Sequence, residues 1–334
     1  GYSLSFSGDF GGIIGSLKQV SLSGLGAEPG AYADTIPATL FVAFQMMFAI
    51  ITPALITGSV AGRMKFKALF AFIALWLIVV YYPMAHMVWG KGGFLGEVLG
   101  SVDFAGGNVV HISSGVSGLV LSLLLGKRRG YEKTAYRTHN IPFVLLGASI
   151  LWFGWFGFNA GSALAADGLA VHAFLTTNTS AACGLLSWMA IDMIRDGKPT
   201  VVGACTGAVL GLVAITPGAG FVPLWSAFII GIVVSPICYF MMSVVKKHFG
   251  YDDALDAVVD EELSRNRRCL GRYCNRNICA EVHQQHCEMG WSCFWRLPFV
   301  RCTAYQYCYY DRGRNCRHVD LRRNRETVYT ASCI

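Results

Sequence analysis

His111 and Asp103 are the ionisable residues of DFAGGNVVHISSGVSGLVLSLLLGKR (103–128) ahead of its terminal Lys-Arg pair. An ionisable side chain at membrane depth costs a few kcal/mol or more and ordinarily faces a cavity or a partner. Imidazole accepts on one nitrogen and donates on the other, so His111 suits a pore-lining proton donor or acceptor. The alternative is a packing role, with the ring bonded to a backbone carbonyl. Asp103 precedes a helix start. Its carboxylate can cap the free backbone N–H groups there or touch a ligand directly, and a capped loop can also present carbonyls to a cation.

Aromatic residues are frequent in the same half of the chain: Phe44, Phe48, Trp89, Trp152, Trp155, Phe156 and Phe158. Most are expected to pack or to face lipid. Phe44 and Phe48 are four apart and share a helix face. Rings across a pore can gate it or hold a cation over their faces. His86, in YYPMAHMVWG (81–90), reads as structural, and His139 and His172 fall at helix ends.

Seven segments of about 20 mostly apolar residues can hold these groups in a bilayer. They run roughly over 38–61, 67–89, 106–126, 141–163, 171–194, 200–217 and 223–245. Composition agrees, with 54% hydrophobic and 14% charged residues, against about 25% charged in a soluble domain. Basic residues follow alternate spans: Arg63, Lys65 and Lys67; GKRRGYEKTAYR (126–137); Arg195 and Lys198; Lys246 and Lys247. The loops between, 90–105, 164–170 and 218–222, hold one Lys. Positive loops stay in the cytoplasm. Residues 1–37 are therefore expected outside and residue 246 onward inside a cell membrane. Gly203, Gly207 and Gly211, and likewise Gly115 and Gly118, suit close helix packing in lipid.

Four segments resemble the ammonium transporter family (the Amt/Mep/Rh group): DFAGGNVVHISSGVSGLVLSLLLGKR, AFQMMFAIITPALITGSVAGRMKF (43–66), YYPMAHMVWGKGG (81–93) and ILWFGWFGFNAGSA (150–163). The likeness runs over residues 1–257. It implies an all-α polytopic helix bundle, a homotrimer with one pore per subunit, and ammonium or ammonia as the transported partner. It further implies that Phe48, Trp89 and Ser162 form an outer recruitment site and that Phe48 and Phe158 are the stacked gate, with Phe44 beside them. Asp103 then lies below the vestibule, and His111 is the first of two pore histidines. A cytoplasmic regulatory protein is a possible partner. No enzyme activity, cofactor, metal or nucleic acid is expected. A non-transporting sensor on the same fold is the alternative.

The opening GYSLSFSGDFGG has neither Met nor a basic-then-apolar leader. It resembles the end of the family's second helix, so the chain reads as starting inside a longer protein. The tail, 258–334, differs in kind. It holds nine of the twelve cysteines and thirteen Arg without Lys. Its Cys spacing fits no zinc pattern, and a reducing compartment disfavours disulfides. Shifted by one base, Leu263 to Ile278 can encode CHGIGGVWGGIATGIF. The shifted reading of Cys302 to Arg325 can be an uncharged, membrane-length run. The tail is therefore expected to be an out-of-frame translation that replaces the second pore histidine. The shift leaves VVDEE (258–262) unexplained.

Overall fold

Close helix approach needs small side chains, and the third quarter of the chain supplies them. In the computed structural model, which describes residues 1–128, 138–245 and the backbone of 307–310, 316–319 and 330–331, α7 (Gly168–Asp196) packs against both α8 (Val201–Ile215) and α9 (Leu224–Phe240). At Gly211 an added Cβ would lie 2.8 Å from the Ala181 Cα, so only hydrogen fits between α7 and α8. Hydroxyls then bridge the helices. Ser180 Oγ donates to the Gly211 carbonyl at 2.8 Å and Ser235 Oγ to the Gly184 carbonyl at 2.8 Å. Pro236 lies inside α9 and has no N–H for the carbonyl of Ile232. Ser187 Oγ of α7 donates to that carbonyl instead, at 2.8 Å.

The remaining elements of this unit are α1 (Tyr2–Phe6), α2 (Ala38–Val60), α3 (Phe66–Trp76), α4 (Tyr82–Trp89), α5 (Ser113–Leu125) and α6 (Ile141–Asn159). A short hairpin of β1 (Pro29–Gly30) and β2 (Ala33–Pro37) precedes α2. Helix starts carry their expected acceptors: Asn140, Asp167 and Thr200 each accept a backbone N–H three residues on. Gly197 ends α7 in the left-handed conformation.

Seven helices are long and apolar enough to cross a membrane: Ala38–Val60, Phe66–Val98, Gly107–Leu125, Ile141–Ala163, Gly168–Asp196, Val201–Gly218 and Leu224–Ser243. Their outward faces are apolar, as at Leu124, Phe153 and Ile194. The second span's end differs from the sequence reading. The second span continues to Val98, because after a break at Gly90–Gly93 a π-turn (Phe94–Val98) follows. The third, Gly107–Leu125, falls within a residue of the expected 106–126 and starts with a π-turn (Gly107–Ile112) that carries His111.

The low-charge loops gather at one end of the bundle. Thr35 Oγ1 donates to the Leu164 carbonyl, Phe104 N–H to Pro217 O at 3.0 Å, and Phe94 N–H to Gly12 O at 2.8 Å. At the other end the Arg63 guanidinium donates to the carbonyls of Ser59, Ser122 and Gly126, tying together the C-termini of α2 and α5. A cation there also complements the helix dipoles.

The chain divides into two units, Gly1–Val259 and Asp260–Ile334. In the second, β3 (Tyr307–Tyr310), β4 (Cys316–Val319) and β5 (Thr330–Ala331) form an antiparallel meander. The basic segment 129–137, Lys246 and Lys247, the junction 258–262 and the remainder of the tail, including the position expected for a second pore histidine, lie outside the described residues.

Candidate functional site

Asp103 organises the start of the third span. Its Oδ1 accepts the N–H groups of Gly106 and Gly107 at 2.7 and 2.6 Å, and its Oδ2 those of Asn108 and Val109 at 2.7 and 3.3 Å. Four orphan donors of a helix start are thereby satisfied by one carboxylate, whose negative charge also suits the helix N-terminus. Gly106 adopts φ 125°, and a Cβ there would strike Val110 at 2.7 Å, so the turn under Asp103 requires glycine. This cap starts the π-turn that carries His111.

The aromatic candidates form one continuous series. Trp89 Nε1 donates to the Asp103 carbonyl at 3.0 Å, and its ring meets Phe48 edge-on at 5.5 Å. Phe48 is 2% exposed and packs on Phe158 at 4.5 Å and on Phe44 at 4.9 Å. Phe158 lies 6.0 Å from His111 and 5.1 Å from Trp155. The His111 imidazole stacks on Trp155 at 5.5 Å with planes 7° apart. Trp155 is fixed by its Nε1, which donates to Thr216 Oγ1 at 2.9 Å. Buried rings in such contact add roughly 0.5–1.5 kcal/mol per pair beyond burial. The pairings hold the His111 ring in place through its faces rather than its nitrogens. Its Nε2 is buried and, among the described residues, has no hydrogen-bond partner. An orphan nitrogen of this kind is able to take a hydrogen bond or proton from a small passing species.

Ser162 sits in the short 3-10 turn Ala160–Ala163 that extends α6. Its hydroxyl donates to Phe158 O at 2.8 Å, which leaves its lone pairs to accept from a donor such as a protonated amine. The structure thus gathers Phe44, Phe48, Trp89, Phe158 and His111 into one ring series, with Asp103 joined through Trp89 and Ser162 through Phe158.

Trp155 is the residue that sequence reasoning missed. It sits four before Asn159 in an apolar run, where spacing does not separate a packing ring from one facing the imidazole. Of the other histidines, His86 is fully buried between Ser5 and Asp9, and His172 bonds the Val222 carbonyl at 2.8 Å. Among the described residues there is no cluster of three or more potential metal ligands.

A model of the Ammonium Transporter Family matches residues 1–259. An ammonium transporter of Bacillus subtilis (strain 168) is 53% identical over 257 residues, which are 77% of this chain and 62% of that protein. The crystal structure of Saccharomyces cerevisiae Mep2 superposes with a TM-score of 0.70 at 43% identity, covering 77% of this chain and 57% of that one. A solved structure described as a Sensor Amt Protein matches with a TM-score of 0.69 at 29% identity, covering 77% of this chain and 64% of that one. The chain spans about three-fifths of the length of the relatives it matches. The helices, the ring series and the family match agree over the same residues, and the chain belongs to the ammonium transporter family.

Proposed function

We infer that this chain is part of a protein that moves ammonium across a cell membrane, with Phe48, Trp89 and Ser162 recruiting the cation at the outer end. The observation that carries this is the unbroken ring series from Trp89 through Phe48 and Phe158 to His111, ending on an orphan imidazole nitrogen. Ammonium and potassium are close in size, so a size filter fails between them. Ammonium, however, donates hydrogen bonds and can lose a proton. Aromatic faces and a hydroxyl hold the cation by cation–π attraction and a hydrogen bond. The rings of Phe44, Phe48 and Phe158 then form a gate whose apolar interior penalises any ion that stays charged. Neutral ammonia passes, while His111 handles the proton. Asp103 acts as the structural support of this arrangement.

Residues 1–257 are the transporter domain in this reading, working as a homotrimer with residues 1–37 outside and residue 246 onward in the cytoplasm, where a regulatory protein can dock. Residues 258–334 are an out-of-frame translation. A chain ending in them lacks the second pore histidine and part of the pore wall, and conducts poorly. Sequencing the coding DNA from codon 250 onward tests this: stop codons in the shifted frame would end the idea.

The transport reading is tested in the protein with the frame restored. His111→Leu should alter ammonium uptake or its discrimination against potassium, and both remaining at the parent level refutes the proposed role. The second reading, a sensor, is favoured by the likeness to the Sensor Amt Protein. It predicts that the restored protein binds ammonium without taking it up.

A further inference from the structure

We propose that Asp9 and His86 share a proton that fastens the outer hairpin 9–14 onto α4, which makes them positioning residues for Trp89. The proposal rests on the recruitment role inferred above for Trp89. It starts from His86, whose side chain is 0% exposed. Its Nδ1 lies 2.9 Å from the Ser5 carbonyl oxygen and its Nε2 3.0 Å from Asp9 Oδ1. A carbonyl oxygen only accepts, so Nδ1 carries a hydrogen. An ionised carboxylate also only accepts. Both ring nitrogens must then donate, and the ring carries one proton more than neutral imidazole. Asp9 also accepts the Gly12 N–H on the same oxygen at 2.7 Å. The hydrogen bond from His86, and after it the one from Gly12, hold the Asp9 carboxyl below its ordinary value.

The pair brackets the segment that carries Trp89. The carbonyl of His86 accepts the Gly90 N–H at 2.8 Å, ending α4 one residue after Trp89. On the far side, the hairpin's Gly12 carbonyl accepts the Phe94 N–H at 2.8 Å. Phe10 and Ile14 close the hairpin as an antiparallel bridge. With the hairpin docked, the end of α4 is held at both flanks. Trp89 then keeps its bond to the Asp103 carbonyl and its edge contact with Phe48.

Asp9 is the charged side chain in contact with the ring among the described residues. Other titratable groups on the packed elements are Tyr82 on the same helix, Tyr2 on α1, and Lys91 and Glu97 beyond α4. The Lys91 ammonium is directed over the Tyr32 ring, at 5.7 Å from its centroid. Loss of the Nε2 hydrogen would break the contact between ring and carboxylate, which solvent reaches from the Asp9 side, 40% exposed. The Nε2 lone pair then faces a carboxylate, and two acceptors oppose each other. At the acid limit the sign is opposite. Because the folded Asp9 value is depressed, its stabilising contribution is present above the unfolded value and fades as pH falls through the folded one. Docking is tightest between these limits.

Hydrogen exchange of residues 9–14 and 86–94 in the full chain tests the proposal, with Asp9→Asn as the control. An asparagine amide can donate to neutral Nε2, which keeps that contact without the extra proton; it gives up the Gly12 N–H bond made to the same atom, an offset between parent and variant that does not change with pH. The parent's opening constant relative to Asp9→Asn should rise by about tenfold per pH unit over the range in which the undocked ring is neutral and the docked ring still carries both hydrogens, and level off above it. Nitrogen NMR of His86 at neutral pH should show two protonated ring nitrogens in the parent and one in Asp9→Asn. A parent-to-variant ratio that is flat with pH, or a singly protonated ring in the parent, overturns the proposal. Asp9 is partly exposed, so its variant remains informative even where a His86 substitution prevents folding. Uptake by the frame-restored protein is read separately. No uptake with the expected exchange profile refutes the transport reading and leaves the latch standing; normal uptake with a flat profile does the reverse.

Discussion

Replacing Asp103 tests whether one carboxylate sets the start of the third span. In Asp103→Asn the amide oxygen can still accept from Gly106 and Gly107, but the NH₂ group then faces the donors of Asn108 and Val109. Two charge-assisted bonds are lost and the other two become neutral. At about 1.5–3 kcal/mol for each bond to a charged group, and allowing for relaxation, the cost is about 3 kcal/mol. Asp103→Ala leaves all four N–H groups without an acceptor at a residue that is 8% exposed, where water replaces them poorly. About 5 kcal/mol is expected, a large value for one substitution. Unfolding of the full chain in detergent micelles, followed by tryptophan fluorescence, measures both. The fluorescence is informative because Trp89 is bonded to the Asp103 carbonyl. An Ala variant within about 1 kcal/mol of the parent would refute the assignment of Asp103 as the organising cap.

Trp155→Phe keeps a ring beside His111 but loses the bond to Thr216, and should cost about 1 kcal/mol. Trp155→Ala removes the stacking surface as well and should cost about 3–5 kcal/mol, with unfolding as the check. Gly211→Ala drives a methyl toward Ala181 and should force α7 and α8 apart, at about 1–3 kcal/mol. Loss of the Ser180-to-Gly211 bond should accompany it, visible as faster hydrogen exchange along α8.

The spans were legible because apolar length and alternating loop charge each report on a bilayer. The end of the second span and the π-turn that opens the third were not. A π-turn leaves no mark in hydropathy, and the break at Gly90–Gly93 looks like an ordinary loop. Phe48, Phe158, Trp89 and His111 were singled out through the family resemblance, and the structure adds the distances that join them. The pairing of Trp155 with His111 was hidden because the two sit on different helices, 44 positions apart. The partner of His86 was equally hidden. Asp9 lies far upstream in a polar loop, and nothing in its neighbourhood marks it as the acceptor for a buried ring.

The π-turn at Gly107–Ile112 holds one residue more per turn than the helix it leads into. Deleting a single codon there would leave a helix of almost the same length, still apolar and still able to reach across the bilayer. If the codon lost is that of Ile112, which separates the imidazole from α5, the ring would swing by roughly 100° relative to the face that follows. A lesion that small would pass unnoticed in a hydropathy plot while turning the ring away from its tryptophan neighbour.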